Sequence, residues 1–185
     1  MMTGIYIAGG ILLVLVLWVI ALYNGLVSLN MRCNEAESDI DVQTKRRYDL
    51  IPNLVETVKG IMKQEQTVFE NVTKARSQAM QAQGMEAKAE AENMLSNTLK
   101  SLFAVAENYP ELKSNQNFLQ LQTEIAETEN KIEASRRYYN ANVRDFNIKI
   151  HRFPENIFAA RLGFKEDKKL FEALQVEREN VKVAF

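Results

Sequence analysis

The chain has 185 residues, 46% hydrophobic and 25% charged, with net charge −1, one cysteine, one histidine, seven glycines and three prolines. That length suits one domain with a real core, and so few turn residues exclude a repetitive all-β architecture. One Cys excludes an intrachain disulfide, one His excludes the Cys/His zinc clusters, and near-neutrality gives nucleic acid no bulk attraction.

Residues 1–31 carry no Asp, Glu, Lys, Arg or His, and the first charge is Arg32. Within them residues 5–23 form an apolar run that spans about 28 Å at helical rise, close to bilayer thickness. Tyr6 near one end, with Trp18 and Tyr23 toward the other, suit interfacial anchors. A cleaved secretory signal fits poorly, because no basic residue precedes the run and Ala21-Leu22-Tyr23 is a poor cleavage site. Residues 1–4 are then a short tail, 5–23 a transmembrane helix and 24–164 a helical bundle. Residues 165–185 form a C-terminal tail, partly helical or frayed.

Beyond the apolar run, Leu26, Leu29, Cys33, Ala36, Ile40, Gln43 and Arg47 recur at steps of three and four, and no glycine or proline interrupts them. One helix therefore leaves the bilayer and continues to about Tyr48. Asp49 then caps a second helix with Pro52 in its first turn, or a single helix continues with a kink at Pro52. The next segment places Leu54, Val58, Ile61, Val68 and Val72 on one face and ends near Gly84. A third, Glu86 to Asn108, carries Met94, Leu95, Leu99, Leu102, Phe103 and Ala106, and Tyr109-Pro110 stops it.

The fourth segment, Ser114 to Arg152, has the clearest period: Phe118, Leu121, Ile125, Thr128, Ile132, Ser135, Tyr139, Asn142 and Phe146. A helix that long needs partner helices along its stripe. A short helix follows Phe153-Pro154, with Gly163 ending it. The expected fold is all-α: an N-terminal transmembrane helix continuing into an elongated antiparallel bundle of long helices.

Catalytic chemistry finds no foothold in these residues. His151 stands alone near a helix end, Cys33 lies on an apolar stripe, and the sequence has no glycine-rich phosphate loop and no Gly-x-Ser-x-Gly. Neither an enzyme activity nor a cofactor or metal is expected. What stands out is clustering. Arg46, Arg47, Tyr48, Asp49, Pro52 and Asn53 lie at the end of the first segment; Glu127, Glu129, Arg136, Arg137, Tyr138 and Tyr139 lie mid-way along the last. Polar residues on helix seams fix register, so these read as an internal polar layer with Arg–carboxylate pairing or as a partner-binding surface. Charge is also divided along the chain: residues 24–135 hold 12 basic and 17 acidic side chains, residues 136–185 hold 11 and 7. The basic part is interleaved with Tyr138, Tyr139, Phe146, Phe153, Phe158, Phe164 and Phe171. That mix suits an anionic membrane surface or nucleic acid, but equally helix packing and head-to-tail self-association.

The blocks Tyr23-Asn24-Gly25-Leu26-Val27, Asn34-Glu35-Ala36, Asp39-Ile40-Asp41-Val42-Gln43, Lys45 to Gly60, Ala104 to Lys113, Phe118 to Gln122, Glu127 to Ile132, Arg136 to Asn140, Phe146-Asn147 and Gly163-Phe164 together resemble the LemA family. The likeness covers nearly the whole chain. Glu37 stands where many members have Trp, and Cys33 where an aliphatic residue is common. The resemblance implies a bacterial membrane protein with one membrane helix, a helical domain and no established enzymatic activity. Relatives include a protein of magnetosome membrane biogenesis, and neighbouring genes often encode membrane proteases.

These readings converge on a non-enzymatic, membrane-anchored scaffold of the bacterial cytoplasmic (inner) membrane that forms a homo-oligomer larger than a dimer. The rival is an adaptor or accessory subunit of a membrane protease or other envelope-stress machinery. The lipid bilayer is the expected partner, and nucleic acid is not one. Arg32 and Lys45-Arg46-Arg47 downstream, against none upstream, favour a translocated N-terminus and a cytoplasmic domain.

Overall fold

A computed structural model describes residues 2–171. Among the described residues there are six helices and no strand: α1 Met2–Lys59, α2 Gln66–Gln81, α3 Met85–Ala106, α4 Pro110–Lys113, α5 Gln116–His151 and α6 Glu155–Ala159. The all-α architecture of long helices is as expected. α1 is the one helix long and apolar enough to cross a membrane, and its apolar part is almost entirely uncovered by the rest of the protein.

Of the two readings of Pro52, the structure adopts the single helix, so Asp49 caps nothing and sits exposed inside α1. α1 runs on to Lys59, about 87 Å in all. Proline has no N–H, so the Tyr48 carbonyl one turn earlier loses its intrahelical donor. Arg76 on α2 replaces it, donating from Nε to the Tyr48 carbonyl at 2.7 Å. Tertiary contact thus overrides a local stop signal.

The segment from Leu54 to Val72 also divides differently from its single apolar face. Leu54 and Val58 close α1, whereas Val68 and Val72 belong to α2, and a turn over residues 60–65 separates them. The N–H groups of Ile61 and Met62 both donate to the Val58 carbonyl, at 3.0 and 2.8 Å, which closes the last turn of α1. Gly60 is a poor helix former at this point, and Met62 turns inward to become fully buried.

α1 and α5 lie antiparallel along most of their length, and the α2–α3 hairpin packs on their distal half. The stripe on α5 is buried as its spacing requires, with Leu121 and Ser135 half-buried at its margins. Asn115 caps α5 by accepting from the Phe118 N–H at 3.1 Å. Two cores result. The distal one gathers Leu54, Val58, Phe69, Leu95 and Leu102 from three helices and Met62 from the turn between α1 and α2. The proximal one, nearer the apolar run, joins Leu26, Cys33 and Ile40 to Tyr139, Phe146 and Phe171.

Of the expected C-terminal tail only residues 165–171 are described, and there the chain is not helical. Gly163, at φ +95°, reverses the chain in a conformation open to glycine, and 164–171 then returns along α5 without helix. Two asparagines on α5 hold this strap. Asn147 exchanges two 3.0 Å bonds with the backbone of Lys168, and Asn140 exchanges bonds of 2.9 and 2.7 Å with that of Phe171. Seven residues of helix and three of extended chain both advance about 10 Å, so the registers match. The rest of the expected tail, residues 172–185, lies outside the described residues.

Candidate functional site

A buried ion cluster separates the two cores. Arg47 is fully buried on α1 and its guanidinium pairs with Glu92 of α3 and Glu129 of α5. Ser96, one turn beyond Glu92, accepts from Arg47 Nη1 at 2.9 Å and donates to Glu129 Oε1 at 2.8 Å. Tyr48 donates its hydroxyl to the other oxygen of Glu92. Burial, and then the Glu92 charge beside it, hold the Tyr48 hydroxyl well above its ordinary range, so it stays a donor. Glu92 is buried with Arg47, whereas Glu129 keeps about a quarter of its side chain in water. The second negative charge is thereby solvated, and the buried part is a one-to-one pair.

This places the expected residues in two groups. Arg47, Tyr48 and Glu129 meet in the cluster, and Tyr139 lies in the proximal core, where its hydroxyl donates to the Lys169 carbonyl at 2.9 Å. Arg136 donates to Asn93 at 3.1 Å and stacks on the Phe171 ring at 4.4 Å. Arg46, Asp49, Pro52, Asn53, Glu127, Arg137 and Tyr138 are exposed and lie outside the cluster. Sequence reasoning missed Glu92, although a signal was present: Glu92 continues the 95, 99, 102, 106 stripe of α3 at the same three-four spacing.

In the proximal core the Cys33 thiol is buried, and burial raises its pKa against a smaller lowering by Lys168. Tyr139 is pushed up to about 12, by burial first and then by Glu37 and Cys33. His151 is exposed, with Nε2 2.7 Å from Asp167 Oδ1. Among the described residues no group of three or more His, Cys, Asp and Glu is arranged to hold a metal ion. Grooves of about 670 and 750 Å³ flank α2, both open to solvent, and neither is lined by a residue of the Arg47 cluster.

At the other end, Tyr6 is exposed, whereas Trp18 and Tyr23 also touch protein. The Trp18 ring meets Phe158 of α6 edge-on at 5.7 Å, and Tyr23 lies 6.3 Å from Phe164. Lys149 lays its ammonium over Gly25, where a Cβ would stand 2.5 Å from Nζ.

Comparison with known proteins supplies the context for this arrangement. The model of the LemA family matches residues 36–185. Protein LemA of Metamycoplasma hominis is 29% identical over 147 residues, covering 79% of this chain and 67% of that protein. Magnetosome protein MamQ 2 of Paramagnetospirillum magneticum is 26% identical over 169 residues, and MamQ of Magnetospirillum gryphiswaldense 24%. Each match covers 77% of this chain and 62% of the relative, so the chain spans less than two thirds of the magnetosome proteins it matches.

Proposed function

The chain belongs to the LemA family, and from that premise we propose that it is a non-enzymatic, membrane-anchored scaffold that self-assembles at the bacterial cytoplasmic membrane. The observation that carries this reading is the continuity of α1. One helix holds the apolar run, crosses the proximal core, supplies Arg47 to the ion cluster and ends in the distal core. A domain fixed to its anchor in this way is held at the same height as every neighbour. Lateral association then costs less orientational freedom than it would for a domain on a loose tether.

Charge provides the complementary faces. The antiparallel pairing puts exposed Glu35 and Asp39 of α1 at the height of exposed Arg137 and Arg144 of α5. Contact of one face with the other on a neighbour is heterologous and closes into a ring or cage when it repeats around an axis. The likeness to proteins named for the magnetosome supports a role in membrane organisation. Arg32 and Lys45 to Arg47 support a cytoplasmic domain, which an impermeant amine reagent on intact cells checks by leaving the domain's lysines unmodified.

Purification of the tagged full chain from gently solubilised membranes tests the scaffold against the adaptor. Large particles of one chain are the expected result. A stoichiometric second protein, such as a membrane protease, with a single copy of this chain overturns the scaffold in favour of the adaptor.

A further inference from the structure

Besides α1, one other part of the described residues reaches the level of the apolar run. α5 ends at His151, and the chain then passes Phe153, α6 and Gly163 before turning back. Phe158 in this turn contacts Trp18, and Phe164 contacts Tyr23. Five residues of helix separate those two contacts, so the turn extends about 7 Å past Tyr23 along the membrane-spanning helix.

The side chains of the turn are those of an interfacial segment. Phe153 is 74% exposed and Ile157 52%. Arg152, Arg161 and Lys165 flank them in sequence, with Glu155 as the one acid of residues 152–165. Water is a poor environment for two large apolar groups so displayed, and basic side chains around them match the phosphates of anionic lipid. The depth agrees as well, since segments lying in the membrane surface bury their apolar face by about 5–10 Å.

We propose that residues 153–162 form a second membrane contact, with Phe153 and Ile157 inserted at the headgroup–acyl boundary of an anionic bilayer and Arg152 and Arg161 on its phosphates. This rests on the reading of residues 5–23 as a membrane span. The anchor then has two points of attachment, which fixes the rotation of the bundle about α1 as well as its height.

The test uses the full chain in phosphatidylcholine–phosphatidylglycerol vesicles carrying lipids brominated at known depths. Trp18 is the one tryptophan, so Trp18→Phe provides a silent background that keeps the ring against Phe158. Into it are placed Phe153→Trp or Ile157→Trp, both at exposed positions, and Val42→Trp on exposed α1 as the aqueous control. The expected result is strong loss of emission at 153 and 157 to shallow bromines, little quenching by aqueous acrylamide, and the reverse at 42. Positions 153 and 157 behaving like 42, while Trp18 of the unmodified chain is still quenched by bromolipid, would overturn the second contact and leave the span standing. Shielding from both quenchers would overturn it in favour of a protein neighbour on this surface. A Trp18 that bromolipid does not quench removes the span and the second contact together.

Discussion

The two cores of this protein solve the burial problem in different ways. The distal core is enclosed by helices on every side: α1 and α5 are joined by α2, α3 and the short α4, so large aliphatic side chains reach full burial. The proximal core rests mainly on α1 and α5, and its open side is closed by α6 and an extended strap that Asn140 and Asn147 hold by backbone bonds. Packing from several helices dominates the first, whereas the second is closed by a few polar contacts and displays Phe153 and Ile157 outward. The difference teaches that a core walled mainly by two long helices needs polar contacts to close its open side, and the Arg47 cluster lies between the two cores.

Breaking that cluster has the largest expected effect. Arg47→Leu strands the buried Glu92 carboxylate and should cost about 3–5 kcal/mol in denaturant unfolding of the detergent-solubilised chain. Adding Glu92→Leu removes the stranded charge and should recover most of the loss. A double variant no more stable than Arg47→Leu would mean that Arg47 acts through contacts other than Glu92.

A smaller effect tests how α1 reaches the distal core. Arg76→Leu leaves the Tyr48 carbonyl without a donor and should cost about 1–3 kcal/mol. In a Pro52→Ala background the N–H at 52 returns and the same substitution should cost clearly less. Equal costs in both backgrounds would break the link between Arg76 and the continuity of α1.

The strap offers a finer separation of the cores. Asn147→Ala removes both bonds to Lys168 and should cost about 1–2 kcal/mol, with hydrogen exchange quickening at the Lys168 amide while amides of the distal core keep their protection. Uniform quickening would show the two cores to be one cooperative unit.

A further effect appears only in alkali. Tyr139 titrates at about 12 when folded against an ordinary value of 10.0. A raised folded pKa means that the unfolded state loses its proton first, so this contribution is complete below pH 10 and fades as pH rises toward 12. Tyr139→Phe should flatten the fall in stability over that window, and an unchanged slope would assign the fall to other groups.

The helical class, the apolar run and the stripe on α5 were all legible in the sequence, because three-four periodicity reports burial wherever a helix packs on one side. Arg47 and Glu129 were legible as a polar layer because they interrupt or border such stripes. Other features were hidden for definite reasons. Pro52 reads as a boundary because Arg76, the residue that rescues the helix, is 24 positions further on. Glu92 was obscured because Met94, which is exposed, was counted on the same face as Leu95. The strap has no period to detect, since its backbone pairs with side chains of α5 instead of with another strand.

The central claim is self-assembly of a rigidly anchored bundle, and the copy number of the full chain in nanodiscs formed directly from native membranes tests it most directly. The account predicts particles with more than two copies, reduced by Arg137→Glu with Arg144→Glu while the helical signal and unfolding midpoint stay unchanged. A strictly monomeric chain in these nanodiscs and in gentle detergents would contradict the scaffold.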